Sequence, residues 1–146
     1  MLVSVDAYGV FRKAVFDTNL YVDWLNHRAR PDLFVGEGFV RHLSAVVIME
    51  LRLGARARAA TRALDRMVRA YDRVDRIVVP TASAFETAGI VLAALRRRGH
   101  ETRRASLVND VLIAMTCREI GATLYTADSD HEAIRAVRDF RLVVVP

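Results

Sequence analysis

SLVNDVLIAMTCREIGATLYTAD, residues 106–128 of a 146-residue chain, is the stretch that decides the fold. Its first part predicts a helix over residues 106–120, and Gly121 predicts the end of that helix because glycine tolerates the left-handed backbone found there. The following segment, residues 122–127, is rich in β-branched and aromatic side chains and predicts a strand. A helix that leads directly into a strand is typical of an α/β sheet.

The same alternation continues in both directions along the chain. We predict further strands at residues 13–17, 77–80 and 141–145, and a short strand or turn at 41–43. Residues 28–40 are predicted to be a connection with Pro and Gly. The predicted helices span residues 20–27, 45–60, 61–75, 83–98 and a short segment after Ser129 that ends near residue 138. Three serines are predicted to begin helices, two of them with capping-box spacing to a glutamate: Ser44, Ser83 with Glu86, and Ser129 with Glu132.

Strands that are separated by helices pair in parallel through right-handed crossovers. We therefore predict one α/β domain over residues 1–146, with a central sheet of four to five mostly parallel strands and helices on both faces. Residues 1–12 precede the first strand, and we interpret them as an N-terminal extension or a misassigned start.

Composition limits the class of protein. With 53% apolar residues the chain is long enough to bury a core without disulfides. Its single cysteine, Cys117, lies in an apolar run and is predicted to be a buried thiol. No stretch has the length of a membrane span, and we expect a cytoplasmic protein. The net charge is +5, and almost all of the cations are arginines. Arginine suits the recognition of phosphate, but a base-composition bias in the genome would enrich arginine too.

Four acidic residues occupy positions where a charged side chain is costly to bury. Asp17 ends the first strand and Asp128 follows the strand in the deciding stretch, while Glu50 and Asp110 lie about one turn inside apolar helices. Ligands of open parallel sheets bind at the carboxyl ends of the strands, so Asp17 and Asp128 are expected together there. Converging carboxylates repel one another unless a cation joins them.

The implied cation is Mg²⁺ or Mn²⁺, because the donors are carboxylates and no Cys and His cluster has zinc spacing. A metal held in this way activates water for attack on a phosphodiester. Each acid taken singly also has a structural explanation, as a helix cap or as an ion-pair partner. Glu50, for example, has Arg52 and Arg56 in its neighbourhood, and spacing alone leaves these interpretations about equal.

Four segments, taken in order, carry a resemblance to a known family: AVFDTNLYVDWL, SAVVIMELRLGA, NDVLIAMTCREIGATLYTADSD and the terminal RLVVV. Through these segments and their order, the chain resembles the PIN-domain family, and within it the VapC-type toxins of toxin–antitoxin pairs. The resemblance implies a PIN-like three-layer sandwich and a Mg²⁺- or Mn²⁺-dependent endoribonuclease. It also implies a homodimer and a small cognate antitoxin, which would block the site with an arginine or a similar cation.

By position, the resemblance implies a catalytic and metal-holding set formed by Asp17, Glu50, Asp110 and Asp128. It implies supporting polar roles for Thr18, Asn19, Thr126 and Asp130. Relatives often carry an aromatic residue after the last of these, where this chain has His131, which would alter the packing beneath the site or add a polar group. We expect it to be an exposed helix residue, as we do the other histidines: His27, His42 and His100.

Clusters of arginines and of aromatic residues are candidate surfaces for binding partners. The helix predicted at residues 61–75 carries a stripe of arginines. We expect this stripe to be a solvent-exposed face, with Asp65 paired to Arg69 and Asp72 to Arg76. The better candidates for RNA contact flank the loop before the Asp110 helix: Arg97, Arg98, Arg103 and Arg104. Tyr21, Trp24, Leu20 and Leu25 give the first helix an apolar surface whose default explanation is core packing.

Three other functions remain open at this point. The chain is also compatible with a PIN nuclease of RNA processing or one that acts on DNA. The presence of a short antitoxin gene directly upstream would distinguish a toxin from these nucleases. A non-catalytic α/β binding module would hold the same acids for structural reasons. A response-regulator receiver domain is disfavoured because Lys13 is the only lysine.

Overall fold

The computed structural model describes residues 12–146, so the predicted N-terminal extension lies outside the described residues except for Arg12. The described chain alternates strands and helices. In chain order the elements are β1 Arg12–Phe16, α1 Thr18–His27, α2 Pro31–Phe34, β2 Phe39–Ser44, α3 Ala45–Gly54, α4 Arg58–Arg73, β3 Ile77–Val78, α5 Ala82–Arg97, α6 Ala105–Ile120, β4 Thr123–Thr126, α7 His131–Val137 and β5 Leu142–Val144.

The five strands form one sheet in the order β3-β2-β1-β4-β5, and every neighbouring pair is parallel. The predicted α/β fold with a parallel central sheet is confirmed. β1 is the central strand and β4 its neighbour, with Phe16 in register with Tyr125. The residues that follow these two strands therefore lie side by side at one edge of the sheet.

The core covers both faces of the sheet. Ala14, Val15 and Phe16 are each 1% exposed, although successive side chains of a strand point to opposite faces. Helices must therefore pack on both sides of β1, as expected for a parallel sheet. The predicted buried thiol is confirmed at Cys117. Within the described part of the chain, no helix is long and apolar enough to cross a membrane.

The aromatic face of α1 enters this core as predicted. Leu20 and Tyr21 are buried. Trp24 is half-buried and stacks on Phe34 of α2, with ring centroids 4.9 Å apart. The short helix α2, within the predicted connection at residues 28–40, was not predicted. It begins at a proline, a residue that suits the first turn of a helix.

Several predicted boundaries are wrong. The break between α3 and α4 lies after Gly54 rather than at residue 60, in an alanine- and arginine-rich segment that propensity alone makes helical. Thr81, not Ser83, caps α5, because its hydroxyl accepts a 3.0 Å bond from the amide of Ala84. The residue at the N-cap of α7 is Asp130 and not Ser129. The predicted short strand at 41–43 extends over Phe39–Ser44, and Ser44 caps α3 as predicted.

Candidate active site

Asp17 lies at the point where β1 ends and α1 begins. It is the N-cap of α1, and only 4% of it is exposed. Its Oδ1 accepts a 2.8 Å bond from the amide of Thr18. Its Oδ2 accepts bonds from the hydroxyl of Thr126 at 2.8 Å and from the side-chain amide of Asn19 at 3.5 Å. The carboxylate is thus held by three donors at the carboxyl end of the sheet.

Asn19 and Thr126 tie the end of β4 to the start of α1. The side-chain amide of Asn19 donates to the hydroxyl of Thr126 at 3.3 Å, and its carbonyl accepts from the amide of Ala127 at 3.3 Å. The same hydroxyl accepts from the amide of Asp128 at 3.0 Å. Oδ1 of Asp128 in turn accepts from the amide of Asp130 at 2.9 Å. This network fixes the loop that carries the last two acids.

Glu50 is oriented by two polar side chains from other helices. Thr18 donates its hydroxyl to Oε1 of Glu50 at 2.6 Å, and Asn109 of α6 donates its amide to Oε2 at 3.4 Å. Arg52, one of the two arginines that were alternative partners of Glu50, instead pairs with Asp65 at 2.6 Å. The contacts of Glu50 therefore lie toward the other acids.

Asp110 lies in the second turn of α6 and has an abnormal proton affinity. Burial and the carboxylates around it raise its pKa to about 8, and only 23% of its side chain is exposed. The carboxylates responsible belong to Asp17, Glu50, Asp128 and Asp130. Beside the larger effect of burial, these like charges raise the pKa because the acids lie close to Asp110.

The four predicted acids line one open cleft of about 410 Å³. Thr18 and Asn19, two of the predicted supporting residues, line it too. The third supporting residue, Thr126, is fully buried beneath the cleft, and the fourth, Asp130, is exposed beside it. The remaining lining residues are Val22, Asp23 and Ser106.

His131 is buried, which contradicts the prediction of an exposed helix residue. As the first residue of α7 it is 1% exposed, with Nε2 3.4 Å from Oδ2 of Asp17 and 3.7 Å from Oδ1 of Asp110. Its burial follows from the packing of α7 against α5, α6 and β5, contacts that the local sequence pattern does not encode. His42 was also expected to be exposed, but it lies in β2 and is partly buried, whereas His27 and His100 are exposed.

The donor set fits a divalent cation. Ligand atoms of Asp17, Asp110 and His131 all lie within 4.8 Å of one another, which is close enough for one ion to contact all three. Such an ion would offset the repulsion that raises the pKa of Asp110. Glu50 and Asp128 stand around this trio on the wall of the cleft.

The predicted RNA-contact arginines lie at the surface, on both sides of the loop between α5 and α6. Arg97 and Arg98 are exposed at the end of α5, and Arg103 and Arg104 lie directly before α6. Ser106, two residues further on, lines the cleft. On α4 the predicted solvated arginine face is exposed, but the predicted pairing of Asp65 with Arg69 is wrong, because Asp65 contacts Arg52 of α3.

The sequence analysis missed several site residues: Asn109, which donates to Glu50, and the cleft-lining Ser106, Asp23 and Val22. Asn109 and Ser106 lie within the deciding stretch, one and four residues before Asp110, and Ser106 shares the helix face of Asp110. Polar side chains on the turn that carries a buried acid were a usable signal, because neighbours at i−4 share one helix face.

Comparisons with known proteins identify the family and the fold. The family model described as PIN domain matches residues 14–137. Among curated proteins, no sequence match was found. Many solved structures are similar in fold, and three of them illustrate the likeness. One is a chain in the crystal structure of VapBC2 from Rickettsia felis bound to a promoter DNA fragment. It is 18% identical with a TM-score of 0.70, and the match covers 92% of this chain and 99% of that chain.

The other two come from further bacteria. A chain of VapBC-5 from Mycobacterium tuberculosis, a member of the VapBC family of toxin–antitoxin systems, is 21% identical with a TM-score of 0.67, covering 91% of this chain and 98% of that one. A chain of FitAcB from Neisseria gonorrhoeae is 22% identical with a TM-score of 0.64, covering 88% and 95%. At these identities the likeness establishes a shared fold over nearly the whole length.

Proposed function

The chain belongs to the PIN domain family, and from this premise we propose that it is a metal-dependent endoribonuclease that acts as the toxin of a toxin–antitoxin pair. PIN domains are generally nucleases, and an acidic cluster is present in this one. The proposal goes further and specifies RNA as the substrate, Mg²⁺ or Mn²⁺ as the cofactor, and a small antitoxin as the partner.

The observation that carries the proposal is the convergence of four acids from four separate elements. Asp17 follows β1, Glu50 lies in α3, Asp110 in α6 and Asp128 follows β4, yet all four line one cleft. A purely structural role would pair each acid with a cation. Among the described residues no arginine or lysine pairs with them: Asp17, Glu50 and Asp128 accept hydrogen bonds from neutral hydroxyls and amides, and the one ionisable nitrogen beside Asp17 and Asp110 belongs to His131.

A divalent cation bound here would supply Lewis-acid chemistry, lowering the pKa of water and neutralising charge that develops on phosphoryl oxygens. The residues of the chain prepare the site for it. Asp17 is fixed by Thr18 and Thr126, so one carboxylate is oriented before any ligand arrives. Glu50 is turned inward by Thr18 and Asn109. This preorganisation lowers the cost of assembling the reactive geometry.

Asp110 holds a proton more tightly than an ordinary carboxyl, with a pKa of about 8 when no cation is present. A proton and a cation therefore compete for the same oxygens, and cation affinity is expected to rise with pH up to that value. Cleavage should follow the same trend. Arg103 and Arg104, beside the cleft-lining Ser106, are proposed to hold phosphates of the RNA.

A groove beside the cleft supports the antitoxin proposal. It has a volume of about 540 Å³ and runs between α1, α3 and α4. Its walls include Leu25, Leu51 and Leu64, and small residues such as Ala60 leave it open. Val22 and Glu50 border both the groove and the cleft, so a peptide in the groove reaches the acids.

We propose that an apolar segment of the antitoxin occupies this groove in the helix-in-groove manner. A cation on that segment would neutralise the carboxylates at its end. Similar chains are found in VapBC complexes, and FitAcB shares the fold. The predicted homodimer and cytoplasmic location belong to the same proposal.

The direct test is cleavage of a structured RNA pool by the purified protein with Mg²⁺, with Mn²⁺ and with a chelator. Asp17→Asn and Asp110→Asn are expected to lose cleavage and keep the fold, because each removes one charge of the cluster without changing side-chain size. The matched control is Asp72→Asn, an exposed acid on α4, which should cut like the wild type. Full activity in Asp110→Asn would refute the assignment.

The toxin part of the proposal needs a cellular test. Induced expression should arrest growth, Asp17→Asn should not, and co-expression of a short gene from directly upstream should restore growth. Ala60→Arg, in the groove, should make that rescue fail, while Ala136→Arg on the exposed side of α7 should not. Cleavage in vitro without growth arrest would favour a PIN nuclease of RNA processing.

A further inference from the structure

The imidazole of His131 is buried with no partner for its polar atoms. Among the described residues, neither Nδ1 nor Nε2 has a hydrogen bond, and the side chain is 1% exposed. An unsatisfied buried polar group costs on the order of 1–3 kcal/mol. A phenylalanine would fill a similar volume without that cost, so packing alone does not account for a histidine here.

Nε2 of His131 lies between the two acids at the centre of the cluster. Its distances are 3.4 Å to Oδ2 of Asp17 and 3.7 Å to Oδ1 of Asp110. Two ligands bound to one ion at about 2.1 Å and at right angles are about 3 Å apart. The two distances from Nε2 exceed this value by less than 1 Å, and the ligand atoms of the three residues all lie within 4.8 Å of one another.

The elements that carry the three ligands are firmly placed. Asp17 caps α1 and is 4% exposed, Asp110 lies within a 16-residue helix, and His131 is the first residue of α7, which packs against α5 and α6. The trio therefore has one buried carboxylate, one partly buried carboxylate and one buried nitrogen. Such a mixed donor set differs from the carboxylate-only site that the sequence predicted.

We propose that Nε2 of His131 is a third metal ligand beside Asp17 and Asp110, and that this nitrogen makes the site select Mn²⁺ over Mg²⁺. Magnesium takes oxygen ligands almost exclusively. Manganese also takes carboxylate oxygens, but as a first-row transition ion it accepts an imidazole nitrogen more readily than magnesium does. The inference rests on the metal site of the proposed function and deepens it. It concerns the identity of the ion and one additional ligand.

The test measures the ligand directly. Mn²⁺ is bound to wild-type protein prepared with ¹⁴N- or ¹⁵N-labelled histidine, and pulsed electron paramagnetic resonance reports nitrogen coupled to the ion. We expect a histidine nitrogen signal that changes with the label and that is absent in His131→Phe. His100→Phe, which alters an exposed loop histidine, is the matched control and should keep the signal.

Calorimetry of Mn²⁺ and Mg²⁺ binding gives the second readout. His131→Phe should weaken Mn²⁺ binding on the order of tenfold and leave Mg²⁺ binding nearly unchanged, so the ratio of the two affinities falls. In chelator this variant should be at least as stable as the wild type, because it removes two unsatisfied buried nitrogens. The resonance experiment on the wild type does not depend on how any variant folds.

The outcomes separate this inference from the proposed function. Mn²⁺ that binds without a histidine nitrogen signal, or an unchanged affinity ratio in His131→Phe, would overturn the role of His131 and leave the acidic site in place. Failure of both ions to bind the wild type would overturn the metal site itself, and the proposed function with it.

Discussion

The hydroxyl of Thr126 donates a 2.8 Å hydrogen bond to Oδ2 of Asp17, so the residue that ends β4 positions the acid that follows β1. The hydroxyl also accepts bonds from the amide of Asp128 and the side chain of Asn19. One buried oxygen therefore connects two of the four acids of the cleft. The parallel pairing of β1 with β4 makes this contact unavoidable, since it places the two strand ends side by side.

Replacement of Thr126 by valine is expected to lower both stability and metal affinity. Valine has nearly the same shape but leaves the amide of Asp128 without this acceptor and Oδ2 of Asp17 with only the 3.5 Å bond from Asn19. The expected cost is on the order of 1–3 kcal/mol in the free energy of unfolding, measured by urea denaturation in chelator. Thr126→Ser keeps the hydroxyl and should lose much less. Equal losses in the two variants would mean that packing of the methyl group, rather than the hydrogen bond, matters.

The sequence predicted the fold best where the apolar pattern is long and ends in a clear signal. The helix predicted at residues 106–120 differs from α6 by one residue, because Gly121 ends it in the left-handed conformation. The elements that were missed depend on contacts between distant segments. Pro31–Phe34 forms a turn of helix that packs Phe34 against Phe16 and Trp24, and nothing local to those residues encodes that contact.

The placement of the site was predictable to a similar degree. Strand ends and acids inside apolar helices were visible in the sequence, and the structure brings Asp17, Glu50, Asp110 and Asp128 to one cleft. Their catalytic roles stay a prediction. The position of His131 was not predictable from its neighbours, since a residue at the start of a short helix is usually solvated and only the docking of α7 buries it.

Stability of the metal-free protein is expected to fall as pH rises from about 4 to about 8 because of Asp110. Its pKa is about 8 in the folded protein and 3.8 ordinarily. Within that window the folded state holds a proton that the unfolded state has released, so raising the pH favours unfolding, by at most about 1.4 kcal/mol per pH unit. Below the window both states are protonated and the full stability is retained.

Asp110→Asn isolates this effect, because all other titrating groups are common to the two proteins. In chelator, the free energy of unfolding of the variant minus that of the wild type should grow as the pH increases through the window and level off above about pH 8. Urea denaturation at several pH values measures it. A difference that stays constant with pH would show that the acids do not converge on Asp110.

Arg103 and Arg104 are expected to contribute to RNA affinity by binding phosphates. Replacing both with glutamine in an inactive Asp110→Asn background should weaken binding of single-stranded RNA on the order of tenfold. The slope of log affinity against log salt should become shallower by about 0.7 for each phosphate that the variant no longer binds. Fluorescence anisotropy at several salt concentrations measures both. The same double change at Arg66 and Arg69, on the exposed face of α4, is the control, and an equal loss of affinity there would indicate general charge attraction.

Tyr71→Phe is expected to destabilise the protein more than Tyr21→Phe, although the two hydroxyls share one 3.1 Å hydrogen bond. Tyr21 is fully buried, so without Tyr71 its hydroxyl has no partner among the described residues, a loss on the order of 1–3 kcal/mol. Tyr71 is partly exposed, and its hydroxyl is better placed to find water when Tyr21 is changed. The double variant should therefore be about as stable as Tyr21→Phe. Urea denaturation of the three variants tests this order, and a Tyr21→Phe variant less stable than Tyr71→Phe would contradict it.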